Sequence, residues 1–184
     1  AEPIGSDGSC LLRIPNEEVR LCFTREIEAF FSDQGQDYVN TGRELMQKFI
    51  LGKGAAANSI FADILMRNIS VRDTGSESFY HGLLLGLLSS ARSQPIESNR
   101  ESGDGYFDIR FYDKASDTAV LIELKQTKYP TELSAAAKEA VAQIHARHYY
   151  ADFLDSGISH IRLYGIACCG KYCRTVKETL SEEP

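Results

Sequence analysis

The run Thr118-Ala119-Val120-Leu121-Ile122-Glu123-Leu124-Lys125 is apolar for most of its length and then charged where burial should continue. Such a short apolar stretch, bounded by Asp117 and Lys128, has the pattern of a strand buried on both faces. Strand side chains alternate between faces, so Glu123 and Lys125 emerge side by side on one of them. The preceding stretch, Ser98 to Ile109, reads as the other arm of a hairpin and brings Asp108 to face them. One lysine and two carboxylates then share a small volume.

That grouping is costly unless something compensates. Two carboxylates about 4 Å apart repel by roughly 4 kcal/mol at an effective dielectric near 20. Either one is protonated or a cation sits between them. Lys125 offsets part of the repulsion. A hard divalent cation, Mg²⁺ or Mn²⁺, fits an all-oxygen site of two carboxylates, a backbone carbonyl and waters. Such an ion acidifies a water and neutralises charge on a phosphoryl group.

Asp108 followed by Glu123-x-Lys125 resembles the signature of the PD-(D/E)XK nuclease superfamily. The likeness extends beyond those three residues. Phe79-Tyr80-His81-Gly82, Ser98 to Gly103, Gln143-Ile144 and Gly165-Ile166-Ala167 with Gly170-Lys171 stand in the order found in one bacterial branch of that superfamily. The entry segment Ile14 to Val19 is also similar, so the resemblance spans Leu12 to Val176. A bare D…ExK is a weak pattern, whereas this ordered set is much more specific.

The resemblance implies a restriction-endonuclease-like α/β core, with a central mixed β-sheet flanked by helices and an N-terminal helical extension. It implies Mg²⁺-dependent hydrolysis of phosphodiesters in nucleic acid, DNA ahead of RNA, and an AAA-ATPase-like domain upstream. Asp108, Glu123 and the Leu124 carbonyl would hold the metal, and Lys125 would position and help deprotonate the attacking water. His81 matches a histidine that contacts the metal from the first core helix of RecB-like relatives; on its own pattern it reads first as a hydrogen-bonded core histidine. Glu77 is a further ligand, the group that orients the His81 ring, or only a helix-cap partner. Gln143 matches a glutamine that lines the cleft of RecB-like relatives, and Arg147 takes the place of their tyrosine four residues on; the two are assigned phosphate contact or are surface polar groups, and Glu101 either joins the site or hydrogen-bonds the turn beside it. Tyr106 stands where that branch usually has arginine after the glycine. The alternative is therefore a module of the same shape that binds nucleic acid or regulates without turnover.

At 184 residues the chain can bury a real core, and 43% hydrophobic and 25% charged residues suit a globular protein. A formal charge of −6 argues against a broad nucleic-acid grip but allows a local basic strip. Lys125, Lys128, Lys138, Arg147, Lys171 and Arg174 are candidates for that strip, or ordinary solvated charges. No apolar run is long enough for a membrane span and no signal-peptide pattern opens the chain, so the expected location is the cytoplasm. Cys10, Cys22, Cys168, Cys169 and Cys173 read as reduced structural thiols, because adjacent Cys168 and Cys169 point to opposite strand faces and cannot easily ligate one cluster.

Residues 1–10 read as a flexible N-terminus or tag remnant, 11–70 as the helical extension packed on the core, and 71–180 as the core itself. A helix opens at Asn16, with Val19, Phe23, Ile27, Phe30 and Phe31 on one face. Capping boxes at Thr41-x-x-Glu44 and Thr74-x-x-Glu77 mark two more helices, the first stopping at Gly52. Another runs from about Ala56 to Asn68. Strands are expected over 94–100, 107–112, 119–125, 158–167 and 172–177. One long helix should run from near Thr131 to Gly157, with Arg147 and Tyr150 on the face of Gln143 and Tyr149 pointing elsewhere.

Overall fold

A computed structural model describes residues 2–3, 10–11, 38–70, 72, 74–91 and 93–181. The chain forms two compact units, Ala1–Tyr38 and Val39–Pro184. In the first, β1 (Glu2–Pro3) and β2 (Cys10–Leu11) pair antiparallel. The helix expected from Asn16 and the side chains of Cys10 and Cys22 lie outside the described residues.

The second unit is built on a five-stranded sheet, ordered β3 (Ile96–Ser102), β4 (Gly105–Asp113), β5 (Thr118–Gln126), β6 (His160–Cys169) and β7 (Tyr172–Ser181). Only β5 and β6 run parallel; the other neighbours are antiparallel. The α/β class with a mixed sheet is therefore as expected. On β5, Val120, Ile122 and Leu124 belong to one apolar cluster while Ala119 and Leu121 belong to another, so helices cover both faces of this central strand.

On the first face lie α1 (38–50), α2 (Gly54–Asn68) and α3 (Glu77–Ser90), which contribute Leu45, Phe49, Phe61, Leu65, Leu84 and Leu88. On the second lie α4 (Leu133–Ala146) and the short α5 (Ala151–Asp155). No helix among the described residues is long and apolar enough to cross a membrane.

Three local expectations are corrected. α1 is already helical at residue 38, so Thr41 is not its N-terminal cap. α3 is capped by Ser76, whose hydroxyl accepts from Phe79 N at 3.4 Å, and Glu77 instead turns to β5. The single long helix breaks after Ala146. His148 adopts a left-handed backbone, φ 53°, and the turn buries Tyr149 to 2% exposure against Phe107. Tyr149 thus packs inward, while Tyr150 stands with its hydroxyl 3.2 Å from His145 Nδ1. Burying that aromatic ring offsets the cost of a left-handed non-glycine residue.

Gly165 decides how closely α4 approaches. It is the parallel partner of Glu123, and a β-carbon there would meet Ala137 O, with Ala140 Cβ and Val141 Cγ2 each at 3.0 Å. Gly165→Ala should lower stability by about 1–3 kcal/mol in urea unfolding, because a buried backbone cannot shift freely. An unchanged midpoint would show that α4 is not seated on this residue.

Candidate active site

The pairing of β4 with β5 reaches Ile109 opposite Ile122 and stops. Beyond that point the Asp108 side chain continues the connection, its Oδ2 accepting from Leu124 N at 2.7 Å. The aspartate is thereby aimed at the Glu123 to Lys125 segment. Burial raises its pKa, opposed by the Leu124 N–H and by the nearby His81 and Lys125.

Glu123 is 3% exposed. Gln143, on α4, donates through Nε2 to its Oε1, and Lys125 Nζ lies 3.7 Å from the same oxygen. The other oxygen, Oε2, is buried with no hydrogen-bond partner. Burial first, then the charge of Asp108, pushes the Glu123 carboxyl up to about 8, with Lys125 pulling the other way. One ammonium cannot serve two carboxylates, and a buried unpaired acceptor costs about 1–3 kcal/mol.

His81 approaches from α3. Its Nε2 lies 3.1 Å from the Asp108 carbonyl oxygen and 3.0 Å from Ser98 Oγ. As an N–H it donates to the carbonyl; as a bare nitrogen it accepts from the hydroxyl. The first state ties α3 to β4 and the second ties it to β3, in both cases beside the aspartate. Glu77, one turn earlier, accepts from Gln126 N at 3.3 Å, which anchors the end of β5. The helix that carries both residues is held inward by Tyr80, Leu84, Leu87 and Leu88.

Asp108, Glu123, Lys125, His81 and Gln143 therefore stand together. Arg147 caps the end of α4 and donates from Nη1 to Asp104 O at 3.1 Å, bracing the β3–β4 hairpin. Glu101 and Tyr106 face each other across that hairpin; both are exposed, Tyr106 to 64%. Neither they nor Arg147 contacts the carboxylates in the described hydrogen bonds. Ser98 and Gly165 stand within motifs that carry the resemblance, but neither had a role assigned to it. Ser98 sat inside the quoted Ser98 to Gly103 stretch, but nothing in it signals a bond to His81; Gly165 becomes meaningful only once β6 is laid beside β5. Of the cysteines, Cys168 and Cys169 belong to clusters on opposite faces of the sheet, and all three described cysteines are free.

Among the described residues no three His, Cys, Asp or Glu side chains are grouped so as to hold a metal by themselves. The donor set is instead two carboxylates, one of them with an unpartnered buried oxygen. That composition fits a hard divalent cation, which takes oxygen donors and retains waters; it does not suit a soft one.

The family model described as the PD-(D/E)XK nuclease superfamily matches residues 75–178, more than half of the chain. No curated protein matches it.

Proposed function

Because the chain belongs to the PD-(D/E)XK nuclease superfamily, we propose that it is a divalent-metal-dependent nuclease that hydrolyses phosphodiester bonds, with DNA as the first substrate to test. The observation that carries this reading is the buried, unpartnered Oε2 of Glu123 beside a second carboxylate. Asp108 and Glu123 are the residues that hold Mg²⁺ or Mn²⁺, with the Leu124 carbonyl as a further oxygen donor. When bound, the ion supplies a water of lowered pKa and neutralises charge on the scissile phosphate.

The remaining work falls to the chain. Lys125, whose side chain is 23% exposed, reaches both Glu123 and solvent; it orients the attacking water and helps to remove its proton. Gln143 fixes the Glu123 rotamer by donating to Oε1. His81 holds the Asp108 backbone in place, and it reaches the metal only by giving up Asp108 O and Ser98. Arg147, Glu101 and Tyr106 lie where substrate passes the hairpin, Arg147 supplying positive charge and Tyr106 an aromatic face.

The second reading, a binding or regulatory module without turnover, is favoured by Tyr106 in place of the usual arginine. One assay separates the two. Single- and double-stranded DNA and RNA are incubated with the protein in Mg²⁺, Mn²⁺ or EDTA, beside Lys125→Ala. Cleavage that needs the metal and is lost in the variant supports the nuclease; binding without cleavage supports the module.

A further inference from the structure

Away from the carboxylates, the start of α2 and strand β7 enclose a cavity of about 470 Å³, lined by Gly54, Asn58, Ser59, Arg174, Thr175 and Lys177 among others. Its charge is one-sided. A β-carbon placed on Gly52, which also lines the cavity, would collide with the Arg162 guanidinium, and Lys177 Nζ lies 3.5 Å from the same point. Two permanent cations from adjacent strands thus converge beside one glycine. Among the described residues no carboxylate lies within ion-pairing distance of Arg162, Lys177, Arg174 or Lys53. Arg162 Nε is buried and has no hydrogen-bond partner.

Like charges held this close repel, and an unsatisfied buried guanidinium N–H is costly. An anion beside the Arg162 guanidinium and the Lys177 ammonium relieves that repulsion. The local donors suit one. Thr175 Oγ1 donates to Asn58 Oδ1 at 3.0 Å, which leaves the Asn58 amide N–H groups as donors. Lys53, at the N-cap of α2, makes no side-chain cap and the first turn holds no acidic residue, so the exposed backbone N–H groups there add to a field that the cations already set. Gly52, with φ 72°, has no side chain to fill the space.

We propose that this cavity binds a phosphate group, as a site separate from the catalytic carboxylates. Phosphate offers several acceptor oxygens to a guanidinium, an ammonium and amide donors at once, and arginine is suited to such contacts. Two sources carry that chemistry, the backbone of a polynucleotide and a free nucleotide or inorganic phosphate. The site shares no residue with the catalytic reading and stands independently of it.

The test uses the full chain in EDTA at low ionic strength. Labelled single-stranded and duplex oligonucleotides are titrated by anisotropy, and ATP and inorganic phosphate by calorimetry. The variants are Arg174→Gln with Lys177→Gln, and Arg162→Gln; Lys114→Gln, on the β4–β5 turn, is the control. Arg174 and Lys177 are exposed, so their replacement leaves the fold intact by circular dichroism. The double variant should weaken binding about tenfold, and for an oligonucleotide should flatten the salt dependence by about one to two released counterions. Loss confined to oligonucleotides identifies a backbone phosphate; loss with ATP or inorganic phosphate identifies a small ligand. Unchanged binding in the double variant and in Arg162→Gln overturns the proposal, as does failure of every probe to bind. Lys125→Ala should lose cleavage yet keep this binding, which separates failure here from failure of the nuclease reading.

Discussion

Asp108→Asn should cut metal-dependent cleavage by about 10²–10⁴-fold without lowering stability in EDTA. The first effect follows from losing one of the two carboxylates proposed to hold the cation, whose charge stabilisation is worth several kcal/mol, at about 1.4 kcal/mol per factor of ten. The second follows from the local geometry. The Asn side-chain oxygen can still accept from Leu124 N, the bond that Asp108 makes at 2.7 Å, and the substitution removes a charge that burdens Glu123. A variant that merely unfolded would lose both properties together. The measurement is a cleavage time course at saturating Mg²⁺ beside urea unfolding in EDTA. Full cleavage by Asp108→Asn would remove the aspartate from the mechanism.

Glu123→Gln makes the metal-free protein more stable than wild type at alkaline pH. The Glu123 carboxyl is raised in the fold to about 8, from an ordinary value of 4.5, by burial and by the Asp108 charge. Between those two values the folded protein keeps a proton that the unfolded chain has released. Stability therefore falls as pH rises across that window, at up to about 1.4 kcal/mol per pH unit. Asp108, also raised, has the same sign. Glutamine stays neutral, keeps an oxygen for Gln143 and abolishes the Glu123 share of the decline. Above pH 8 the expected gain is on the order of 2–4 kcal/mol, read as a higher unfolding midpoint in EDTA. Mg²⁺ should reverse the ranking, because it stabilises the wild type by binding and displacing the Glu123 proton, whereas the glutamine variant has lost a charged ligand. Parallel pH profiles for the two proteins in EDTA would contradict the buried charge.

The central strand was readable because its burial is written in consecutive residues. Ala119 to Leu124 is apolar but for Glu123, so a lone carboxylate in that run had to be explained. The motif order placed Asp108 opposite it, and the structure turns Asp108 toward the same segment. What could not be read depends on partners distant in the chain. Gln143 bonds Glu123 only because α4 settles on Gly165, and no short-range pattern announces a glycine chosen for a neighbouring helix. The break at His148 was missed because nothing local demands it; the gain lies in burying Tyr149 against Phe107. At α3 the expected Thr74 cap gave way to Ser76, which took the helix end and freed Glu77 to hold Gln126 N. Strand ends drifted by up to four residues, two at β3 and four at the end of β7, since pairing rather than composition decides where a ladder stops.

The central claim is that Asp108 and Glu123 are held together for a divalent cation. Anomalous diffraction from crystals soaked in Mn²⁺ tests it most directly. The expected result is a peak within ligand distance of both carboxylates, with Glu123 Oε2 now coordinated and the Leu124 carbonyl nearby. A peak elsewhere, or none at these residues with Oε2 still unpartnered, would contradict the account.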